Sequence, residues 1–182
     1  MRKVIAAINM TIDGYCDHTA VNPDAEIHQH YADLLHNTGV AVYGRVTYQL
    51  MQYWQSIRAN PTGKKATDEF AAAIDRVPKL VFSHTLKDTG WNSATLAKGS
   101  LEEELTALKQ QPGKDIYVCS PGMIVAAMNL NLIDEFQLCV HPVVAGSGLP
   151  LFKNIQDKPM FRLVQTKNFT SGAVILYYEP LK

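Results

Sequence analysis

Runs of consecutive apolar residues alternate along this chain with stretches in which apolar residues recur every three or four positions. A short unbroken apolar run is typical of a strand buried on both faces, and the wider spacing is typical of a helix with one buried face. The pattern predicts buried strands at residues 3–9, 40–43, 79–82, 116–119 and 135–144, a short edge strand at 94–97, and two closing strands at 161–167 and 173–178.

Helices are predicted between these strands from the residues at their ends. Asn22 and Pro23 have the residue types of an N-cap and a first helical position, and Gly39 is the predicted end of that helix. Thr47 is the predicted cap of a short second helix, which a polar loop follows over residues 56–65. Three further helices are predicted to begin at Thr67, at a capping box formed by Ser100 and Glu103, and at Ser120-Pro121-Gly122.

The alternation of strands and helices indicates the fold class. It predicts an α/β domain with a mostly parallel central sheet, and the last two strands predict an antiparallel hairpin at the C-terminal end. The sequence contains no internal repeat, linker or low-complexity segment. Its 182 residues suit one hydrophobic core, so residues 1–182 are expected to form a single domain.

Composition narrows the range of partners. The 17 Lys and Arg residues balance the 17 Asp and Glu residues, and no basic run is present, so nucleic-acid or anionic-membrane binding lacks an electrostatic basis. No segment approaches the roughly 20 apolar residues that span a bilayer. The three cysteines, Cys16, Cys119 and Cys139, are widely spaced and form no C-x-x-C pair, which is typical of a reduced, cytoplasmic protein.

Candidate ligand-binding residues follow four of the predicted strands, at residues 9–14, 44–47, 83–85 and 120–123. In a parallel sheet, ligands bind outside the carboxyl ends of the strands. Arg45, several hydroxyl groups and two exposed helix starts would meet at that edge, a combination that suits a cofactor with a bisphosphate group. At residues 120–123 the abrupt turn into a helix predicts a phosphate site, and the alternative is an ordinary strand–helix joint.

Several common sites are excluded by their motifs. The chain has no G-x-G-x-x-G after the first strand, no P-loop and no G-x-S-x-G elbow. His28 and His30 are two positions apart on a helix and diverge, and H-E-x-x-H is absent, so no metal site is expected. His141 shares a strand face with Gln137 and Cys139, and it is interpreted either as a pocket residue or as a half-exposed strand histidine.

The order of motifs resembles the dihydrofolate reductase-like superfamily, in the branch that includes the C-terminal reductase domain of riboflavin biosynthesis. The matching segments are MTIDGY at residues 10–15, VYGRVTY at 42–48, SPG at 120–122, LIDEF at 132–136 and PVVAGSGLPLF at 142–152. The resemblance covers nearly the whole chain. It implies a three-layer fold and an NADPH-dependent reductase of a small heteroaromatic substrate, pterin-like or pyrimidine-like.

The resemblance also implies roles for individual residues. Ala7 and Ile12 would border the nicotinamide, and Ser83 and His84 would lie near the adenosine 2′-phosphate. Gly44, Arg45 and Thr47 would hold the pyrophosphate. The remaining cofactor residues would wrap the pyrophosphate and ribose or close the site, and they are Ser120, Pro121, Gly122, Met123, Ile124, Gly146 and Gly148.

Proton delivery is the least defined part of this expectation. Reductases that act on dihydrofolate carry an acidic residue on the first helix, and the matching position here falls near His28. The candidate proton donors are therefore Glu26, His28 and Asp13, with water as an alternative. A nucleotide-binding or structural module that has the fold without the chemistry is the second hypothesis.

Two structural expectations follow from the same comparison. The family's paired glycines tend to carry a cis peptide, and their place is taken here by Ser120-Pro121. Because a proline lowers the cost of a cis bond to about 0.5–1 kcal/mol, this bond is predicted to be cis. A homodimer is expected by analogy, through the sheet edge, with Tyr177 and Tyr178 of the last strand exposed.

Overall fold

The computed structural model describes residues 1–181, which contain eight strands and six helices. The strands are β1 (Val4–Thr11), β2 (Thr38–Gly44), β3 (Lys79–Phe82), β4 (Ala94–Leu96), β5 (Asp115–Val118), β6 (Glu135–His141), β7 (Phe161–Asn168) and β8 (Val174–Pro180). The helices are α1 (Ala25–His36), α2 (Arg45–Met51), α3 (Tyr53–Ala59), α4 (Lys65–Arg76), α5 (Leu101–Gln110) and α6 (Pro121–Asn129).

All eight strands form one sheet in the order β4-β3-β2-β5-β1-β6-β8-β7. Pairing is parallel from β4 to β6, and β8 is antiparallel to both of its neighbours, so the C-terminal hairpin closes one side of the sheet. The predicted fold class, a mostly parallel mixed sheet with a C-terminal antiparallel hairpin, is confirmed. Because β2, β5, β1 and β6 run in the same direction, the loops that follow them meet at one edge.

Side chains of β1 alternate between two cores, as the pleat of a strand requires. Ile5 and Ala7 pack with buried residues of α1 and α4, whereas Val4 and Ala6 pack with those of α5 and α6. The sheet is thus the middle layer between two groups of helices, which explains why its central strands are apolar without interruption. Among the described residues, no helix has the length and hydrophobicity needed to cross a bilayer.

The ends of some helices differ from the sequence-based expectations. Asp24, not Asn22, is the N-cap of α1, because its Oδ1 accepts a hydrogen bond from Ile27 N at 2.9 Å. That helix ends at His36, and Gly39 lies inside β2. The capping box at the start of α5 is confirmed, with the Ser100 side chain bonded to the Glu103 backbone and the reverse.

Four further predictions were wrong in detail. The helix α2 begins at Arg45, directly after Gly44, and Thr47 is therefore not its cap. Part of the expected polar loop is α3, and β6 ends at His141. No peptide bond in the described residues is cis, so the predicted cis bond before Pro121 is wrong. Pro121 instead serves as the first residue of α6, where its missing N–H costs nothing.

Two loops at the carboxyl edge are fastened to each other, and we name them the edge clasp: residues 12–17 after β1 and 143–151 after β6. Backbone hydrogen bonds join Ile12 N to Val143 O and Cys16 N to Leu149 O, each at 2.9 Å. The Asp17 carboxylate accepts from Leu149 N. Gly148 has φ +134° and passes so close to Asp17 that a Cβ there would overlap the carboxylate.

Replacing Gly148 with alanine should open the edge clasp. An alanine at this position would have to adopt a backbone conformation that L-residues rarely adopt, and its Cβ would overlap Asp17. We therefore expect the free energy of unfolding to fall by about 1–3 kcal/mol. The control is Gly122→Ala, since a Cβ at Gly122 meets no atom within 4 Å and its φ is ordinary. Urea unfolding of both variants checks this, and equal midpoints would contradict the described role of Gly148.

Candidate active site

Two helices start side by side at the carboxyl edge, where the paired strands β2 and β5 end. The link between them is a hydrogen bond of 2.9 Å in which Gly44 N donates to the Ser120 hydroxyl. Ser120 is the N-cap of α6, yet its side chain makes no capping bond to that helix, and it is only 3% exposed. A buried hydroxyl therefore joins the ends of two strands instead of capping a helix.

Neither helix start is capped by a side chain. The N–H groups of Gly122 and Met123 in α6, and those of the first turn of α2, therefore keep their hydrogen-bonding capacity for water or a ligand. The partial positive charge of two adjacent helix N-termini favours an anion at this place. Arg45, the first residue of α2, adds a positive charge at this place. Its side chain is exposed and donates to Gln49 Oε1 at 3.2 Å.

The space in front of α6 is open. A Cβ added at Gly44 would lie 3.7 Å from Met123 Cγ, so a side chain at position 44 would come into contact with the start of α6. A Cβ at Gly122 would project into empty space. An uncapped helix start beside a glycine whose Cβ position has no atom within 4 Å fits a phosphate-bearing group.

Asp13 belongs to the edge clasp. Its carboxylate accepts hydrogen bonds from the Thr11 hydroxyl at 2.6 Å, from Ala145 N at 3.0 Å and from Gly146 N at 2.7 Å. The Thr11 hydrogen bond is the largest cause that lowers the Asp13 pKa to about 2, and the two backbone bonds add to it. Asp13 is therefore ionised at neutral pH, and it holds two loops together.

Glu26 and His28 lie on α1 and have other partners. The Glu26 carboxylate accepts from both the N–H and the hydroxyl of Thr170, each at 2.9 Å, which ties α1 to the β7–β8 turn. The His28 ring packs against Trp54 and Phe70 at centroid distances of 5.7 Å, and burial lowers its pKa. Among the described residues, the partners of Asp13, Glu26 and His28 are all different, and Asp13 lies apart from the other two expected proton donors.

Glu26 and His28 do border a common space. A cavity of about 980 Å³ lies between the first turns of α1 and α4 and the end of β7. Its wall also includes Lys64, Lys65 and Lys167. Asp13 and the paired helix starts are not part of that wall.

The other residues expected to bind the cofactor differ in how exposed their side chains are. His84 and Ile12 are exposed, whereas the side chains of Ala7 and Ile124 are buried in opposite cores. The Ser83 hydroxyl accepts from Thr85 N and Leu86 N and so closes its own turn. Gly146 has φ +73° and supplies the N–H that Asp13 binds.

Sequence reasoning singled out residues 9–14 and His141 but missed the polar network that joins Asn9 to His141 on the α1 side of the sheet. Asn9 Oδ1 accepts from the Tyr31 hydroxyl at 3.4 Å and lies 2.9 Å from His141 Nε2. His141 is 6% exposed, so the expectation of a half-exposed histidine was wrong. The available indication was Asn9 itself, a polar residue within the apolar run of β1. Within residues 1–181, no group of three His, Cys, Asp or Glu side chains is placed to hold a metal ion.

Comparison with known proteins assigns the family. A family model described as the RibD C-terminal domain matches residues 2–175. The chain belongs to the RibD C-terminal domain family. The uncharacterized protein YyaP of Bacillus subtilis strain 168 is 31% identical over 186 residues, and the match covers 98% of this chain and 95% of YyaP.

Solved structures of the RibD type share the fold. A Shewanella sp. PV-4 protein assigned to riboflavin biosynthesis has a TM-score of 0.76 at 19% identity, over 99% of both chains. The Thermotoga maritima diaminohydroxyphosphoribosylaminopyrimidine deaminase/5-amino-6-(5-phosphoribosylamino)uracil reductase has a TM-score of 0.67 at 13% identity. That match covers 99% of this chain and 57% of the Thermotoga chain. The resemblance to the RibD branch is thereby confirmed, and the fold is that of its reductase domain.

Removing the Ser120 hydroxyl should destabilise the paired helix starts. In Ser120→Ala the half-buried N–H of Gly44 loses its acceptor, which costs about 1–3 kcal/mol. Thermal unfolding should therefore begin at a lower temperature, by roughly 2–4 °C per kcal/mol for a chain of this length. The exposed Ser147 provides the control, since Ser147→Ala removes a hydroxyl for which the structure shows no hydrogen bond. Equal melting temperatures for the two variants would show that the Gly44–Ser120 bond contributes nothing.

Proposed function

We propose that this chain is an NADPH-dependent reductase of a small heteroaromatic substrate, pterin-like or pyrimidine-like. The observation that carries the proposal is the pair of uncapped helix starts joined by the Gly44–Ser120 hydrogen bond, in a chain of the RibD C-terminal domain family. The reductase named for the Thermotoga protein acts on a substituted uracil, which supports a pyrimidine ring as one substrate class. The three free thiols suit a reducing compartment, and we place the protein in the cytoplasm as one domain.

The proposed cofactor site uses backbone groups and one cation. The N–H groups of Gly122 and Met123 and those at the start of α2 would bind the pyrophosphate, and Arg45 would neutralise its charge. Ser120 would position both turns through Gly44. The bound nicotinamide would supply the hydride, while the protein orients the two reactants and excludes water.

We also assign residues to the adenosine 2′-phosphate and the nicotinamide ring of NADPH, from the strands that they follow. Ser83 and the exposed His84 follow β3, next to β2, and would face the 2′-phosphate. Ile12 and the backbone of Ala7 belong to β1 or its loop and would border the nicotinamide. The edge clasp, with Gly146 and Gly148, would form the wall beside that ring.

For the proton, we propose delivery by water. Asp13 is ionised and fully bonded within the edge clasp, and Glu26 is bonded twice to Thr170. The His28 pKa is lowered by burial, so this ring is a poor acid at neutral pH. The hydrogen bonds of Asp13 and Glu26 and the burial of His28 also favour a second candidate function, a nucleotide-binding module without reductase activity. NADPH oxidation in the presence of a pterin or a flavin precursor separates the two.

NADPH should raise the melting temperature of the protein. At a concentration 100-fold above Kd the stabilisation is about 2.7 kcal/mol, which corresponds to roughly 5–10 °C for a chain of this size. Arg45→Gln should weaken NADPH binding by about tenfold, since it removes a charge-assisted contact with phosphate. Differential scanning fluorimetry with NADPH and NADH measures both effects.

Arg58→Gln is the matched control, because Arg58 is an exposed arginine in the last turn of α3, away from the paired helix starts. It should leave the NADPH-induced shift unchanged. No shift with either nucleotide would refute the cofactor site. Equal losses in the two arginine variants would refute the role of Arg45.

We also propose a homodimer through the β7 edge. β7 is the last strand of the sheet and exposes Leu163 and Val164 by 48% and 45%. Beside it lies an apolar cavity of about 510 Å³, whose wall includes Phe152, Phe161 and Tyr178. Tyr177 and Tyr178 are half-buried, so the expectation that they are exposed was wrong. An unpaired apolar edge strand favours pairing with a second copy of the chain.

Leu163→Lys should convert the dimer to a monomer, because it places a charge in the apolar contact. The control is Thr166→Lys on the same strand, where an exposed polar residue is replaced. Size-exclusion chromatography with light scattering gives the mass directly. A wild-type monomer, or dimers of equal strength in wild type and Leu163→Lys, would contradict the proposed interface.

A further inference from the structure

The network around Asn9 has a defined hydrogen-bond direction. Asn9 Oδ1 can only accept, and it faces both the Tyr31 hydroxyl and His141 Nε2. Tyr31 is buried, and burial raises its pKa well above the ordinary value, so the hydroxyl keeps its proton and donates. His141 Nε2 also lies 3.7 Å from Cys139 Sγ. In the tautomer that carries its proton on Nε2, the His141 ring donates to the same Asn9 oxygen.

Two nitrogen atoms, Asn9 Nδ2 and His141 Nδ1, take no part in these hydrogen bonds. With Oδ1 occupied, the Asn9 amide group has two N–H donors on Nδ2, and a neutral His141 ring has an acceptor on Nδ1. In residues 1–181, the buried side-chain atoms without a hydrogen-bond partner are His30 Nε2 and Gln137 Oε1. Neither Asn9 Nδ2 nor His141 Nδ1 is among them, and within the described part of the chain neither has a hydrogen-bond partner, so each atom keeps some exposed area although His141 is only 6% exposed.

The position of the pair matters for function. β1 lies between β5, which ends at the Ser120 turn, and β6, which ends at His141. Asn9 pairs with Cys139, and Thr11 pairs with His141. Asn9 and His141 are therefore offset by two residues along adjacent strands, and their side chains lie on the same face of the sheet. A donor and an acceptor are therefore side by side toward the carboxyl edge, on the two strands that follow β2 and β5 in the sheet order.

We infer that Asn9 and His141 determine substrate specificity by recognising a lactam edge, that is, a ring carbonyl next to a ring N–H. Asn9 Nδ2 donates to the carbonyl oxygen, and His141 Nδ1 accepts from the N–H. This inference rests on the proposed reductase function and adds to it the residues that select the ring. Neither residue belongs to the proposed cofactor site.

The chemistry of the pair makes it selective. A ring with both groups satisfies both nitrogen atoms, whereas a ring that lacks the N–H leaves His141 Nδ1 facing an apolar or alkyl group. Burial lowers the His141 pKa, while the charge of Asp24, the cap of α1, acts in the opposite direction. In the neutral ring with its proton on Nε2, Nδ1 is an acceptor.

Uracil and N,N′-dimethyluracil are the test probes, because they share a ring and differ in the N–H donors. We expect uracil to shift the side-chain amide signals of Asn9 in ¹H–¹⁵N spectra and to bind at least about tenfold more tightly than the dimethyl compound. Asn9→Asp keeps an acceptor for Tyr31 and His141 but removes the amide donor. It should weaken uracil binding by about tenfold or more.

Tyr31→Phe is the matched variant, since it removes a hydrogen bond to the same Asn9 oxygen and leaves the amide donor in place. Uracil affinity should then change by less than about threefold. Equal binding of the two probes, or equal losses in Asn9→Asp and Tyr31→Phe, would overturn the inference and leave the network a packing feature of β1, β6 and α1.

Each titration is done with and without NADPH, so that failures can be told apart. If NADPH stabilises the protein and uracil does not bind in either state, the lactam inference fails alone. If NADPH has no effect and uracil binds through Asn9, the inference stands and the reductase proposal fails. Absence of binding by both ligands refutes both.

Discussion

The hydrogen bond from Gly44 N–H to the buried Ser120 hydroxyl is the interaction on which the candidate site depends. It joins the end of β2 to the turn after the neighbouring parallel strand β5, so that α2 and α6 begin side by side. Since Ser120 uses its hydroxyl for this contact, it leaves the first turn of α6 uncapped. One side chain thus both aligns the two turns and keeps their N–H groups available to an anion.

The fold could be largely predicted from the sequence because the central strands are buried on both faces, which leaves unbroken apolar runs. Helix starts were harder, since Asn22, Pro23 and Asp24 all have suitable residue types and only the bond to Ile27 N decides among them. The Asn9–His141 contact joins residues separated by 132 positions. It depends on strand register, which no local pattern reveals.

Carboxylates that resemble catalytic groups in the sequence serve here to hold loops in place. Asp13 fastens the edge clasp and Glu26 fastens the β7–β8 turn, so each is engaged with backbone N–H groups. At Asp13 this hydrogen bonding, with that of the Thr11 hydroxyl, lowers the pKa to about 2, which makes its carboxyl group a weaker acid–base catalyst at neutral pH. In the proposed reductase, the protein would therefore act mainly by orienting the two reactants, and Asn9 and His141 would select the substrate ring by hydrogen bonding.

The central claim is that a nicotinamide cofactor binds at the paired helix starts. Its most direct test is a ¹H–¹⁵N titration with NADPH that follows the backbone amides of assigned residues. The account predicts the largest shifts at residues 44–47 and 122–123, with small shifts around the cavity between α1, α4 and β7. Shifts confined to that cavity, or none at residues 122–123, would contradict it.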